Sequence, residues 1–243
     1  MAIANPENVI EILRKGEITS ESLIPIGSNY TFLVNLRTDN GSEVRAIYKP
    51  RIGEAPLRDF SSGTLCLREY AAFVIANGLG WDFVPATVIR DGPYGIGSMQ
   101  LFVEHFRGQH YFTLLEQHDA DLMRICLFDL LINNADRKGG HCLLGIDNKV
   151  WGIDHGLTLH SVPKLRTVIW DFAGDSFPDE LIVDMSNLLV ELDSGNDLLH
   201  ELDRLLVPIE TQALRSRIQY LLQNPRFPDP YRLGKRAFPW PLL

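Results

Sequence analysis

The feature that most restricts this chain is a change of texture near residue 104: β-type runs broken by turn residues come first, and helical periodicity fills most of the remainder. YTFLVNLRT and EVRAIYKP flank Asp39-Asn40-Gly41, an Asn-Gly turn signal that predicts a β-hairpin. FVPATVI and GSMQLFVEHF predict two more strands, joined by a turn at Arg90-Asp91-Gly92-Pro93-Tyr94-Gly95. Between these pairs Leu65, Leu67, Ala71, Val74, Ile75 and Leu79 recur at helical spacing up to Gly78 and Gly80, with Glu69 inside the helix. A short amphipathic helix from Asn5-Pro6 to Gly16 precedes them all.

Beyond residue 104, DADLMRICLFDLLIN reads as a buried helix, and CLLGI and KVWGID as two short strands joined through Asp147-Asn148. DELIVDMSNLLVEL and NDLLHELDRLLVPIETQALRSRIQYLLQ predict long helices. The Pro-rich tail, with Phe227, Tyr231, Phe238 and Trp240, is expected to lie extended over its own C-terminal half. Strands first and helices later define an α+β protein. The expected division is residues 1–104, an antiparallel sheet with one helix, and residues 105–243, mainly helical.

With 243 residues the chain can bury a large core without disulfides. Cys66, Cys126 and Cys142 sit among apolar neighbours without CxxC spacing and read as reduced core residues of a cytosolic protein. A net charge of −8 opposes nucleic acid or an anionic membrane as the main partner. No apolar run approaches the ~20 residues of a membrane span, and a soluble, cytoplasmic protein is expected.

The chemistry concentrates in NNADRKGGHCLLGIDNKVWGIDHG, where Asp136 precedes the small hairpin and Asp154 ends its second strand. Phosphoryl transfer uses such a pair: one carboxylate orients the attacking hydroxyl and takes its proton, and the other holds Mg²⁺ against nucleotide phosphates. In kinases a metal-binding residue follows the first acid by five positions, which here is His141, and a lysine two positions after that acid, here Lys138, could reach the transferred phosphate. Singly, Asp136 could merely end a helix and Asp154-His155-Gly156 form a turn; the intervening hairpin favours the functional reading. Lys49 at a strand end and Glu69 on the next helix form a candidate phosphate-binding ion pair, although surface charge pairs are common. Gly27, Ser28 and Asn29 can cover phosphates with backbone N–H groups, or simply link the first helix to the sheet. Gln100, Leu101, Phe102 and Val103 are the candidate adenine connector, with mostly main-chain contacts.

The order of these parts resembles the protein-kinase-like superfamily in its atypical branch of phosphoinositide 3- and 4-kinases and HipA-like kinases. YKP, REYAAFVIANGLGWDFVPATV, INNADRKGGHCLL and GIDHG are also similar to a bacterial phosphoinositide-kinase-related family of unassigned function, from about Gly27 to about Asp171. The resemblance implies a bilobal fold with ATP in the cleft, Lys49 and Glu69 as the ion pair, Asp136 as catalytic aspartate and Asp154 as metal aspartate. Two departures are visible: His141 replaces the usual asparagine, and the glycine-rich loop is minimal. Mg²⁺ prefers oxygen ligands, so Mn²⁺ is an equal candidate.

The expectation is an ATP-dependent phosphotransferase using Mg²⁺ or Mn²⁺ and a protein or small-molecule acceptor, in preference to a lipid because no lipid-binding module is visible. The alternatives are a nucleotide-binding pseudokinase, adenylyl transfer by the same parts, and a transition-metal hydrolase built on His105, His110, His141, His155 and His160.

Overall fold

The structure, a computed structural model, describes residues 6–25, 27–38, 41–233 and 237–243. Asn5 and the Asp39-Asn40 pair of the expected turn lie outside the described residues. Helix α1 (Pro6–Lys15) leads into strands β1 (Glu17–Ile24), β2 (Thr31–Arg37) and β3 (Glu43–Pro50). Helix α2 (Leu65–Gly78) separates these from β4 (Thr87–Gly92) and β5 (Gly95–Leu101). The five strands form one antiparallel sheet in the order β1-β2-β3-β5-β4.

Strand β1 is a strand that the sequence did not announce. Its residues EITSESLI are mostly exposed and lack apolar alternation; what places it is backbone pairing with β2, from Glu17↔Arg37 to Ile24↔Thr31. An edge strand wetted on both faces carries no two-residue signal. The Gly27-Ser28-Asn29 segment is therefore the loop between β1 and β2, not a link from α1 to the sheet. The turn expected over Arg90–Gly95 contracts to Pro93-Tyr94, because pairing continues to Gly92↔Gly95. Gly95 supplies the positive φ of +87° that closes it.

Alternation divides the sheet into two faces. Val34, Leu36, Ala46, Tyr48, Val88 and Met99 form one core with Val9 and Leu13 of α1. Arg90 secures α1 by donating to the carbonyls of Leu13 (3.1 Å) and Gly16 (2.9 Å), at the helix end where carbonyls lack helical partners. The intervening residues Ile47, Lys49 and Gln100 face a cleft.

The helical lobe comprises α3 (Tyr111–Leu114), α4 (Asp119–Ile132), the hairpin β6 (Cys142–Leu144) and β7 (Val150–Gly152), then α5 (Asp179–Ser194), α6 (Asp197–Leu205), α7 (Pro208–Gln223) and the single turn α8 (Pro230–Leu233). The long helical pattern from Asn196 is thus two helices. Asn196 caps the first by accepting from the N–H groups of Leu198 and Leu199, and Leu206 turns extended before Pro208 opens the second. Proline suits that first helical position because its missing N–H would have had no helical partner. The tail contains one helical turn where only extended chain was expected. It packs on its own lobe through Phe227, against Phe172 and Phe177, and Phe238, against Trp170. Tyr231 and Trp240 stay exposed, and the three cysteines are free and buried.

Helix α2 belongs to both halves. Ala71, Ala72, Ile75 and Ala76 join the same apolar cluster as Phe128, Leu188 and Leu202. Arg68, one turn earlier, donates to Glu210 of α7 (2.6 Å) and to the Thr158 carbonyl (2.8 Å), with both charged side chains under 10% exposed at 4% and 8%. Removing one partner of such a pair strands the other charge in the interior. Glu210→Ala is expected to lower stability by about 3–5 kcal/mol, measured as a shift of the urea unfolding midpoint; a loss below ~1 kcal/mol, the size of a surface pair, would show that water reaches Arg68.

Candidate active site

The cleft between sheet and helical lobe is a cavity of about 530 Å³. Its sheet side carries Gly27, Ser28 and Asn29 from the β1–β2 loop, Lys49 from β3, and Gln100 to Val103 running out of β5. Its lower side carries Asp136, Lys138 and His141 after α4, and Asp154 after β7, while Glu69 reaches in from α2. The fold brings the residues nominated for phosphate, metal and adenine to one space.

Lys49 is the centre of the upper wall. Its Nζ contacts Glu69 Oε1 and lies 2.8 Å from Asp154 Oδ1. Burial alone would push the ammonium down, but Asp154 and Glu69 outweigh it and hold the Lys49 pKa above its ordinary value. Lys49 in turn holds the Asp154 carboxyl well below the usual range, against the effect of burial. Glu69 moves up instead, because burial outweighs Lys49 and Asp154 adds like-charge repulsion. The second oxygen of Glu69 accepts the His155 N–H at 3.0 Å, tying α2 to the loop that presents Asp154. Asp154 has φ +61°, a left-handed conformation that a non-glycine residue adopts at a cost.

The lower wall begins where α4 stops at Asn133, also left-handed at φ +56°. Asn134 Oδ1 accepts the Asp136 N–H at 3.0 Å and fixes the loop. Asp136 Oδ2 accepts from Lys138 Nζ at 2.6 Å. Burial raises the Asp136 pKa and Lys138 opposes the rise, which leaves a carboxylate more basic than a surface aspartate. His141 Nε2 lies 3.3 Å from Asp154 Oδ2. Burial depresses the His141 pKa to about 4, with Arg137, Lys138 and Lys49 adding to the fall and Asp154 resisting it, so its ring is neutral at pH 7.

Three groups important to this geometry escaped the sequence reading. Arg137, fully buried, is paired with the fully buried Asp129 of α4 and donates to the carbonyls of His141 (3.3 Å) and Ile153 (2.7 Å). Its Nη2 also lies 2.8 Å from His155 Nε2. Arginine can only donate, so the His155 proton sits on Nδ1, which is buried without a partner among the described residues. The available signal was Asp129 itself, an acid inside the apolar run CLFDLL. Glu54 lines the cavity too; its carboxylate accepts from the N–H groups of Leu65 (3.1 Å) and Cys66 (2.9 Å) and caps α2. Nothing in the polar loop RIGEAPLRDF marked it out.

The donor set fits a divalent cation that also binds phosphate. Adjacent ligands of an octahedral ion at about 2.1 Å lie about 3 Å apart, close to the His141–Asp154 separation of 3.3 Å. Among the described residues no group of three or more His, Cys, Asp or Glu side chains could hold a metal ion. His105 instead contacts the Val103 carbonyl, His160 stacks edgewise on Phe60 and His155 packs on Phe128; the histidines do not gather into a hydrolase centre.

Residues 89–213, just over half of the chain, match phosphatidylinositol 3- and 4-kinase. The chain belongs to the phosphatidylinositol 3- and 4-kinase family. Protein Rv2133c of Mycobacterium tuberculosis is 39% identical to this chain, over 95% of this chain and 94% of its own. Similar solved structures include hydra Fam20 with sugar, 14% identical with a TM-score of 0.58 over 91% of this chain and 90% of that one. The Helicobacter pylori proinflammatory kinase CtkA is 14% identical with a TM-score of 0.54 over 88% and 94%. The Golgi casein kinase with Mn/ADP bound is 17% identical with a TM-score of 0.53 over 90% and 74%. At these identities the likeness is one of fold: this family member has a kinase-like fold.

The neutral His141 has a consequence for stability. Between its folded pKa of about 4 and the ordinary 6.5, an unfolded chain binds a proton that the folded chain refuses. Its contribution is complete above 6.5 and is lost as pH falls towards 4. In metal-free protein His141→Gln is expected to flatten the fall of urea midpoint across that window; an unaltered slope would mean that the ring is already charged or exposed.

Proposed function

We propose that the chain is an ATP- and divalent-metal-dependent phosphotransferase acting on a hydroxyl of a protein or small molecule. The observation that carries this reading is Lys49 bonded to both Glu69 and Asp154 on one wall of a cavity whose other wall presents Asp136 with Lys138. Fold relatives named as kinases, one described with Mn/ADP, support it.

In this reading the purine lies against Gln100 to Val103, with the phosphates below Gly27, Ser28 and Asn29 and beside Lys49. Asp154, with His141, would hold the metal ion, which neutralises phosphate charge when bound. Asp136, its basicity raised by burial, accepts the acceptor's hydroxyl proton. The acceptor oxygen bonds to the γ-phosphorus as the bridge to the β-phosphate breaks, and ADP leaves with the bridging oxygen. Lys138 places positive charge beside the moving phosphoryl group.

One observation favours a second reading. His141 Nε2 and Asp154 Oδ2 face each other at 3.3 Å, and if the imidazole keeps its proton there, metal binding is weakened. The chain would then bind nucleotide without transferring it.

Incubation with γ-labelled or α-labelled ATP, Mg²⁺ or Mn²⁺, and protein, small-molecule or phosphatidylinositol-vesicle acceptors separates these readings. Transfer of γ-label is expected; α-label on the acceptor would replace phosphoryl by adenylyl transfer, and ATP binding without transfer would favour the second reading. Asp136→Asn is expected to reduce transfer about 10²–10⁴-fold while sparing ATP affinity, whereas Asp154→Asn should weaken metal-dependent ATP binding as well. Full activity in both variants would sink the site. Because Lys138 lowers the Asp136 pKa, Lys138→Met should move the acid limb of the kcat/KM profile to higher pH.

A further inference from the structure

The back of the cleft holds a pair of side chains whose hydrogen bonding admits a single arrangement. Thr87 of β4 and Gln100 of β5 are partners in the β4–β5 ladder, and Ile47 of β3 flanks Gln100 on its other side. Thr87 is fully buried, and its hydroxyl lies 2.8 Å from the Pro85 carbonyl. A carbonyl only accepts, so the one hydroxyl hydrogen of Thr87 is committed to Pro85.

Towards Gln100, at 2.9 Å, Thr87 Oγ1 can therefore only accept, and the amide atom facing it must be Nε2. Carboxamide orientation is otherwise assigned from surrounding hydrogen bonds, and here that network leaves no freedom. Gln100 Oε1 is turned away from Thr87. Among the described residues no protein group donates to it, it is not one of the buried polar atoms left unpartnered, and Gln100 lines the cavity. An acceptor oxygen is thus fixed at the back wall, beside the start of the connector.

The neighbouring main chain supports this. The Leu101 N–H donates to Ala86 and the Phe102 N–H to Arg45, so both are used within the sheet. Neither of those two N–H groups is left to serve a 6-oxo group, and the Gln100 oxygen stands beside them as an acceptor.

We infer that Gln100 Oε1, locked by Thr87, reads the 6-position of a bound purine, accepting from an exocyclic amine and opposing a 6-oxo group. This rests on the nucleotide-binding reading above and adds base selection to it. A 6-amino group satisfies the oxygen, whereas a 6-oxo group sets two acceptors against each other. Freed from Thr87, the amide could turn and offer Nε2 to the 6-oxo base.

The test compares the affinities of ATP and ITP, in the presence of Mn²⁺, for the full chain and three variants by calorimetry. The native chain is expected to favour ATP by roughly tenfold. Gln100→Leu should shrink that ratio several-fold, mainly by weakening ATP. Thr87→Val, nearly isosteric but without the hydroxyl, should shrink it by strengthening ITP, a gain that damaged packing would not produce. Thr87→Ser, which keeps the hydroxyl, should retain the native ratio. An ATP:ITP ratio unchanged in both Gln100→Leu and Thr87→Val, with ATP still bound, would overturn the assignment and leave the nucleotide site standing. If the native chain bound neither nucleotide, both would fall.

Discussion

The guanidinium of Arg137 reaches several of the segments that surround the candidate site. It is fully buried against Asp129, and its remaining donors reach the His141 and Ile153 carbonyls and the His155 ring. Those contacts join the end of α4, the loop of Asp136, the β6–β7 hairpin and the segment of Asp154. A buried ion pair stabilises little beyond an apolar replacement, yet once formed its fork of donors fixes the relative position of every acceptor. Asp136 and Asp154 thus sit on backbones referenced to one side chain, although neither bonds to it.

The upper wall is set by a different device. Lys49 spans Glu69 on α2 and Asp154 on the helical lobe, so its position depends on where α2 lies. Arg68, adjacent to Glu69 in sequence, anchors α2 to Glu210 and Thr158, and the apolar residues one turn later bury that helix in the helical lobe's core. The ion-pair helix is therefore fastened to the half of the molecule that carries Asp136. Strain at Asp154 and a His155 Nδ1 without a partner among the described residues are tolerated in the same region, where the surrounding bonds over-determine the backbone.

Much of this was legible along the chain, and for identifiable reasons. Turn residues and apolar alternation marked β2, β3, β4 and β5, and helical period marked α2 and α4, because these elements bury one face and sequence records burial. β1 left no trace because its faces are wet. The break between α6 and α7 was hidden because the apolar period runs through it, and only Pro208 hinted at an interruption. Asp136 and Asp154 could be nominated because a short hairpin separates them, and Lys49 and Glu69 because a strand-end lysine precedes a helix that carries an acid. Arg137 and Glu54 could not, since their importance lies in partners brought from elsewhere, and Asp129 stood out only as an acid inside an apolar run.

The sequence by itself determined the strands and helices that bury one face, β2 to β5, α2 and α4 among them, and it carried the family resemblance in the residues around Asp136 and Asp154. Local patterning suffices for both, because period and residue chemistry are properties of neighbouring positions. Tertiary structure alone decided that Lys49 meets Asp154 across 105 residues, that Arg137 serves four segments at once, and that Thr87 fixes the Gln100 amide. Each is a contact between side chains whose distance is set by packing, and no spacing along the chain encodes it.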